Sequence, residues 1–359
     1  MKLKLNMSIC VLLMLVSSGC GSSNNSSGGG GTGGGGTAVT NVYLAGGVTS
    51  ATTGKSIATY WKNGTATSLT DGTNIAVAYA IAVSGNDVYV GGITFNATTG
   101  NTVATYWKNG VATNLTDGTK DAEAVAIAVS GSDVYVLGFT ISDAGHKVAT
   151  YWKNGVATYL TDGTSYADAH AIAVSGSDVY VAGTTTSKTT SSYIATYWKN
   201  GAATTLTDGT QIAEAFAIAV SGSDVYVAGF TTSATTHRNV ATSWKNGAAT
   251  TLTDGTTDCR ALNIALSGSD VYIAGFAFDV TNPIATYWKN GVVTNLTDGT
   301  EYANAEAIAV SGSDIYVTGF TTSATTSNSV ATYWKNGVAT NLTDGSSYSE
   351  TFAVYIASE

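Results

Sequence analysis

The sequence contains little of what most globular folds use in quantity. Its 359 residues include one proline, three cysteines, three histidines and three methionines, and only 11% are charged. So few charged residues exclude a helical bundle, whose exposed faces need glutamate, lysine and arginine. Glycine is abundant, with 42 residues, and together with many Thr, Ala, Val, Ser and Tyr residues it is typical of short strands joined by tight turns. A hydrophobic share of 44% is enough for a core and excludes wholesale disorder.

The charge of the chain is unbalanced. Twenty-four acidic residues oppose fifteen basic ones, which gives a formal net charge of −9. Nucleic acid and anionic membrane surfaces are poor partners for such a chain, because both would repel it. We therefore expect no nucleic-acid partner.

Residues 1–19 have the pattern of a secretion signal peptide. Lys2 and Lys4 precede the apolar run MSICVLLMLV, which is too short to span a bilayer. The string LVSSGC at its end resembles the lipobox of bacterial lipoproteins, and the resemblance implies that Cys20 is lipidated and becomes the new N-terminus. Ordinary secretion with cleavage nearby is the alternative, because Ser17 stands where the lipobox usually has an aliphatic residue.

Residues 20–37 comprise the lipidated cysteine and a Gly/Ser-rich tether without an apolar side chain to bury. The lipid would be the only contact with a membrane, and it implies a location in the bacterial cell envelope, at the outer membrane or the cell surface. Cys10 leaves with the signal peptide and Cys20 carries the lipid. Cys259 is therefore left alone, and no internal disulfide is expected.

A repeat fills the rest of the chain, residues 38–359. Seven tryptophans follow one another at intervals of 44 to 46 residues. Around each, the sequence motifs AIAVSGSDVYVAG and VATYWKNGVATNLTDGT recur with small changes. Each copy predicts four strands: A (AIAV), B (DVYV), C (VATYW) and D (VATNL). Asn-Gly between strands C and D is typical of a two-residue type I′ hairpin. Four antiparallel strands in about 45 residues predict a β-propeller blade, and seven copies predict an all-β, seven-bladed propeller.

The two ends of the repeat region predict how the ring closes. The region begins at strand B, over residues 41–46, without a strand A before it. It ends with TFAVYIAS, residues 351–358, which aligns with strand A of the other copies. We therefore expect the C-terminal strand to complete the first blade and remove the open sheet edges.

The repeat text SGSDVYVAGFTTS resembles the bacterial seven-bladed β-propeller repeat family over essentially the whole of residues 38–359. The resemblance implies an architecture and no particular activity. WD40 repeats need a Trp-Asp pair, and kelch repeats separate Tyr from Trp, whereas here Tyr106 and Trp107 are adjacent and Lys108 follows.

Residues present in every copy are interpreted as parts of the blade. We expect the tryptophans to pack between blades, with each indole N–H on an acceptor. The Asp of each TDGT is expected to shape its turn and not to bind calcium, because no D-x-D-x-D spacing occurs. The Lys of each Lys-Asn-Gly hairpin is expected to form a solvated rim. No metal or cofactor motif occurs, so neither is expected.

Positions that differ among the copies indicate a binding face. They lie in two regions: the loop between strands B and C, for example residues 188–193 and 234–239, and the loop before strand A with the beginning of that strand. Strand connections that alternate between two ends would bring both regions to one mouth of the central channel. The predicted binding residues are Tyr79, Glu123, Tyr166, Asp168, His170, Glu214, Arg260, Tyr302, Asn304, Glu306, Tyr348 and Glu350.

These features lead to the expectation of a monomeric, non-enzymatic lipoprotein that binds or scaffolds a protein or glycan through this face. One alternative is a polysaccharide-active hydrolase or lyase with a carboxylate pair at the mouth. A second is an assembly factor for envelope proteins, which would expose an apolar patch. Asp168 and His170 also suggest a hydrolytic dyad, although the sequence indicates no nucleophile beside them.

Overall fold

A computed structural model describes residues 40–278, 282–345 and 353–358. The predicted signal peptide, Cys20 and the tether lie outside these residues, as do Tyr348 and Glu350. Every regular element within the described ranges is a β-strand, 28 in all. None of the described residues forms a helix long and apolar enough to cross a membrane.

The strands follow one another as a first set of three and then six sets of four, and β28 comes after the last set. In the first four sets they are β1 Thr40–Thr49, β2 Ser56–Lys62, β3 Thr65–Ser68, β4 Ala76–Ser84, β5 Asp87–Phe95, β6 Thr102–Lys108, β7 Val111–Asn114, β8 Ala122–Ser130, β9 Asp133–Ile141, β10 Lys147–Lys153, β11 Val156–Tyr159, β12 Ala167–Ser175, β13 Asp178–Thr186, β14 Tyr193–Lys199 and β15 Ala202–Thr205. The remaining strands are β16 Ala213–Ser221, β17 Asp224–Thr232, β18 Asn239–Lys245, β19 Ala248–Thr251, β20 Cys259–Ser267, β21 Asp270–Phe278, β22 Pro283–Lys289, β23 Val292–Asn295, β24 Ala303–Ser311, β25 Asp314–Thr322, β26 Ser329–Lys335, β27 Val338–Asn341 and β28 Ala353–Ser358.

The strands form seven four-stranded antiparallel sheets, and this confirms the predicted seven-bladed propeller. Six blades use four consecutive strands, for example β8-β9-β10-β11. The first blade has the order β28-β1-β2-β3, so the C-terminal strand completes it as expected. β28 also contacts β24 and β4, which closes the ring of innermost strands around the axis.

Alanine on one blade and larger aliphatic residues on the next form the core between blades. Ala80 and Ala82 of β4 lie in one cluster with Ile127 and Val129 of β8. Six of the seven tryptophans are only 1% exposed and pack between blades, as predicted: Trp107, Trp152, Trp198, Trp244, Trp288 and Trp334. The prediction that every indole N–H finds an acceptor is wrong for Trp244, Trp288 and Trp334, whose Nε1 atoms are buried without one.

The Lys-Asn-Gly hairpins have the predicted type I′ conformation, with φ of 50° at Asn109 and 83° at Gly110. Their lysines, however, are not a merely solvated rim. Lys153 Nζ lies 2.7 Å from Asp133 Oδ2 and 5.2 Å from the centroid of the Tyr135 ring, and the equivalent lysines of the following blades repeat this arrangement. The register of β9 and β10 places strand B's first residues beside the hairpin, so the lysine meets its own blade.

A β-bulge interrupts the innermost strand of six blades. In β8, Ala124 pairs with Gly138 and Ala126 with Leu137, so Val125 has no pairing partner. A Cβ atom on Gly138 would lie within bonding distance of the Glu123 carbonyl oxygen, and glycine is therefore required opposite the bulge. The bulge fixes the backbone at the residues that the sequence singles out for binding.

Candidate functional site at the channel mouth

One end of the propeller holds the variable positions. The register pairs Glu123 with Phe139 and Lys147 with Ile141, so strand A begins, strand B ends and strand C begins at the same end. The Lys-Asn-Gly hairpins lie at the other end. We use the term channel mouth for the end of the propeller where β4, β8, β12, β16, β20 and β24 begin.

An ion pair joins the third and fourth blades at the channel mouth. Lys147 Nζ, on β10, donates to Asp168 Oδ2, on β12, at 3.1 Å, and it lies 4.0 Å from the centroid of the Phe139 ring. The Tyr166 hydroxyl donates to the same oxygen at 3.0 Å, and its ring stacks on Tyr193. Burial and the charge of Asp168 raise the pKa of Tyr166, so the hydroxyl stays protonated as a donor.

A second cation lies at the interface of the fifth and sixth blades, and it comes from strand A of the later blade. Arg260, on β20, lies 4.8 Å from the centroid of the Phe230 ring on β17. With the side-chain oxygen of Asn239 turned toward the guanidinium, this amide accepts from Nε at 3.3 Å and Nη2 at 3.2 Å. Beside it, Arg238 Nη1 lies 2.7 Å from Asp258 Oδ2. Here strand A supplies the cation, whereas strand C supplies it between the third and fourth blades.

Two carboxylates flank Asp168 on the neighbouring blades. Glu123 and Glu214 are partly buried, and within the described residues neither makes a hydrogen bond or an ion pair. Burial raises the pKa of both. For Glu123, Lys147 opposes this shift and Asp168 adds to it, and for Glu214, Arg260 opposes it and Asp168 adds to it.

His170 and Glu306 do not lie at the surface, contrary to their prediction as mouth residues. They are 2% and 3% exposed, and Asp168 is 5% exposed. Their positions lie at or next to the bulge, where the innermost strands of adjacent blades contact each other and cover them. The imidazole packs edge-on against Phe216 of β16 at 5.3 Å.

The suggested Asp168–His170 dyad is not formed. Asp168 Oδ2 accepts from Lys147 and Tyr166, and His170 Nε2 is buried without a hydrogen-bond partner in the described part of the chain. Burial lowers the pKa of His170, so the imidazole is neutral at pH 7. A paired base and nucleophile are therefore not provided by these two residues.

The seventh and second blades bring neutral and aromatic groups to the mouth. Asn304 Nδ2 donates to Glu306 Oε1 at 3.2 Å, and Tyr302 stacks on Phe320 with ring centroids 5.7 Å apart. Tyr79 is partly buried, and burial and the charge of Glu123 raise its pKa. The ion pair and the arginine among the mouth residues therefore lie on blades three to six, whereas the second and seventh blades contribute Tyr79, Tyr302, Asn304 and the buried Glu306.

Sequence reasoning placed the variable loop between strands B and C at this mouth but did not single out two sets of residues as contacts there. One is the first residue of strand C, which supplies Lys147 and Asn239. The other is the last buried position of strand B, which supplies the rings under the two cations, Phe139 and Phe230. Both sets differ among copies in the same register as the predicted ones, and aligning these columns would have found them.

Other candidate sites in the described ranges carry little chemistry. A cavity of about 440 Å³ lies beside the TDGT turn before β24, and its lining includes Asp298 and Glu301. Asp298 accepts from the amide and hydroxyl of Thr300, as expected for a turn residue. The described residues contain no group of three His, Cys, Asp or Glu side chains that could hold a metal ion.

Solved structures share this fold. A Pyrococcus horikoshii acylaminoacyl peptidase matches 85% of the chain at 13% identity with a TM-score of 0.55, and the chain covers 51% of it. A Mycobacterium tuberculosis puromycin-hydrolyzing peptidase matches 84% at 10% identity and TM-score 0.58, with 51% of it covered. The β-propeller domain of the Trilobed protease from Pyrococcus furiosus, described as having an open Velcro topology, matches 85% at 11% identity and TM-score 0.53, with 95% covered.

No protein-family model and no curated protein matches the sequence. The chain spans about half the length of the two whole peptidases. At these sequence identities the structural similarity shows the fold, and it adds no support to the particular repeat family that the repeat sequence resembles.

These neighbours correct the expected function. A non-enzymatic lipoprotein that binds or scaffolds an envelope protein or glycan was expected, with a polysaccharide-active enzyme or an assembly factor as alternatives. These expectations are contradicted by the comparisons, because the structures that share the propeller come from peptidases.

Proposed function

We propose that this propeller has a peptidase-related function and receives a peptide at its channel mouth. In this proposal the propeller selects peptide segments and presents them to a peptidase active site. The fold neighbours support a connection with peptide substrates, and the chemistry of the mouth supports the place of contact.

The observation that carries the proposal is a pair of cations that lie over aromatic rings at two blade interfaces of the channel mouth, with a carboxylate beside the first cation. Lys147 lies over Phe139 beside Asp168, and Arg260 lies over Phe230. A peptide offers carbonyl acceptors, N–H donors and charged ends at regular spacing, and these side chains match all three. Exposed Tyr and Ile residues on the rim add apolar area for side chains: Ile75, Tyr166, Ile212 and Tyr302.

Peptide-bond cleavage belongs to a separate catalytic unit in this proposal. Among the described residues, the one buried histidine close to a carboxylate is His170, and Asp168 is engaged by Lys147 and Tyr166. The propeller would contribute selection and access, which act on the affinity for substrate more than on the chemical step.

We also propose a lipid anchor at Cys20 and a location in the bacterial cell envelope. The support is the apolar run, the LVSSGC string and the tether, all outside the described residues. An anchored propeller would act on peptides outside the cytoplasm.

The proposal is tested by removing matched ion pairs from the two ends of the propeller. The double variant Lys147→Thr with Asp168→Asn uses the residues found at these positions in other blades, Thr102 and Asn304. Binding of fluorescently labelled, unstructured peptides is followed by anisotropy. We expect the wild-type protein to bind and the mouth variant to lose about tenfold or more in affinity, or about 1.4 kcal/mol.

The control is the pair Lys199 and Asp178, at the opposite end of the fourth blade with Nζ and Oδ2 2.8 Å apart. Lys199→Thr with Asp178→Asn makes the same change of residue types and should leave affinity unchanged. The proposed function fails if the wild-type protein binds no peptide, or if the control variant loses as much affinity as the mouth variant.

A further inference from the structure

We propose that Tyr166 and Tyr193 form a platform for an aromatic side chain of the peptide. This inference rests on the proposed function, because it names the chemical class of peptide that the channel mouth selects. Tyr166 lies directly before β12, and Tyr193 is the first residue of β14 in the same blade. The two rings stack on each other, with centroids 5.4 Å apart and an angle of 25° between their planes.

Both rings remain open to solvent. Tyr166 and Tyr193 are each 37% exposed, and Ile212, at the position of Tyr166 in the next blade, is 45% exposed. An exposed aromatic ring that keeps one conformation covers apolar area of a ligand at a low cost in entropy, and tyrosine is therefore enriched at binding surfaces. The stacked pair is thus a place on the channel mouth where apolar area is still available to a ligand.

Hydrogen bonds and an ion pair hold the stacked tyrosines in place. The Tyr166 hydroxyl donates to Asp168 Oδ2 at 3.0 Å, and Lys147 Nζ donates to the same oxygen at 3.1 Å. The Thr186 hydroxyl donates to the Tyr166 carbonyl oxygen at 3.1 Å, and Thr186 is also the residue that pairs with Tyr193 in the sheet. The platform therefore exists before a peptide binds, and binding does not have to order it.

The seventh blade has a tyrosine at the same position and uses it differently. Tyr302 stacks on Phe320 of β25, which is only 7% exposed, so this ring packs against the wall of its own blade. In the fourth blade Thr184 stands at the position of Phe320, and Tyr166 stacks on Tyr193 instead. The partner of Tyr166 is therefore itself a surface residue, and the fourth blade alone has tyrosine at both positions.

An aromatic side chain fits this platform better than a charged or an aliphatic one. Asp168, the carboxylate that touches the pair, is already engaged by Lys147 and by the Tyr166 hydroxyl, so it offers no place for a cationic side chain. An aliphatic side chain would bury apolar area, but it lacks the quadrupole through which rings attract one another in stacked and edge-to-face arrangements. A third ring would extend a stack that the protein already contains.

Four unstructured peptides of one sequence test the class of side chain. They carry phenylalanine, cyclohexylalanine, lysine or alanine at the same central position. Binding is measured by isothermal titration calorimetry, because a fluorescent dye would add an aromatic group of its own. The variants Tyr193→Thr and Tyr166→Ile introduce the residues found at these positions in other blades, Thr102 and Ile212, and circular dichroism checks that both are folded.

We expect the wild-type protein to bind the phenylalanine form about tenfold or more tightly than the alanine form. It should also bind this form about twofold to tenfold more tightly than the cyclohexylalanine form, which has a similar size but no aromatic ring. Tyr193→Thr and Tyr166→Ile should each bind the phenylalanine and cyclohexylalanine forms with equal affinity. The matched control is Tyr159→Thr, which removes a tyrosine that is 65% exposed on the outermost strand of the third blade, and it should keep both preferences.

Two results would overturn the platform and leave the proposed function standing, provided that Lys147→Thr/Asp168→Asn still weakens binding. In the first, the wild-type protein binds any of the other three forms as tightly as the phenylalanine form, and the aromatic class is wrong. In the second, both platform variants keep the preference for phenylalanine, or Tyr159→Thr loses it as they do, and the ring is bound elsewhere. If the wild-type protein binds none of the four peptides, the proposed function fails, and the platform fails with it.

Discussion

Deleting residues 353–359 is expected to destabilise the propeller by several kcal/mol, a large share of the about 5 to 15 kcal/mol typical of a folded domain. β28 is the innermost strand of the first blade and pairs with β1 from Thr40↔Ser358 to Ala45↔Ala353. Without it, the edge of β1 is unpaired and the ring opens between β24 and β4. The open edge also exposes one side of a buried apolar cluster that includes Tyr43, Leu44 and Ala45.

Thermal unfolding followed by circular dichroism measures this effect, and deletion of Glu359 alone is the control. Adding a synthetic peptide with the sequence of residues 353–359 should restore part of the lost stability, because it can pair with β1 as an added strand. A truncated protein that melts within a few degrees of the full-length one would show that strand pairing does not hold the ring closed.

Gly92→Ala is expected to destabilise the fold by about 3 kcal/mol or more, whereas Gly91→Ala, one residue earlier, is expected to be tolerated. A Cβ on Gly92 would lie 2.0 Å from the carbonyl oxygen of Val77 and 3.0 Å from the Cα of Ala78, at the bulge of β4. All of these atoms belong to the backbone of β4, so there is no side chain that could move away. A Cβ on Gly91 would lie 3.5 Å from the Cβ of Ile127, an ordinary contact.

Other blades support the contrast between these neighbours, because alanine stands at the position of Gly91 in three of them: Ala182, Ala228 and Ala274. Gly91→Ala should change the free energy of unfolding by less than about 1 kcal/mol. Alanine reduces the conformational freedom of the unfolded chain, and this offsets the cost of the added methyl group. Urea unfolding of both variants gives the two free energies. Equal losses would mean that the bulge does not require glycine opposite it.

The repeat made the fold predictable from the sequence. The spacing of the tryptophans predicts packing between blades, the Asn-Gly dipeptides predict the turns, and the final TFAVYIAS predicts the closing strand. The structure confirms the turns, the packing and the closing strand. The turns depend on residues within one copy, whereas the packing of the tryptophans and the closing strand were predictable because the copies are nearly identical and repeat at a fixed period.

The channel mouth was only partly predictable, because it depends on contacts between copies. The bulge and the adjacent blades bury His170 and Glu306, and no periodicity of two along strand A indicates this. Lys147 reaches Asp168 from the preceding blade. The aligned column at the start of strand C varies and so marks a mouth position, but it does not indicate which residue of the next blade that position contacts. The function was not predictable, since no motif for a reaction or ligand is present.

A photoreactive peptide tests the central claim, that a peptide binds at the channel mouth, most directly. The unstructured peptide carries a photoactivatable residue, is irradiated with the wild-type protein, and the attachment sites are mapped by mass spectrometry. We predict adducts at the beginnings of β8, β12 and β16, around Glu123, Asp168 and Glu214, and competition by the unlabelled peptide. Adducts that lie instead in the Lys-Asn-Gly hairpins, or that spread evenly over all seven blades, would contradict the account.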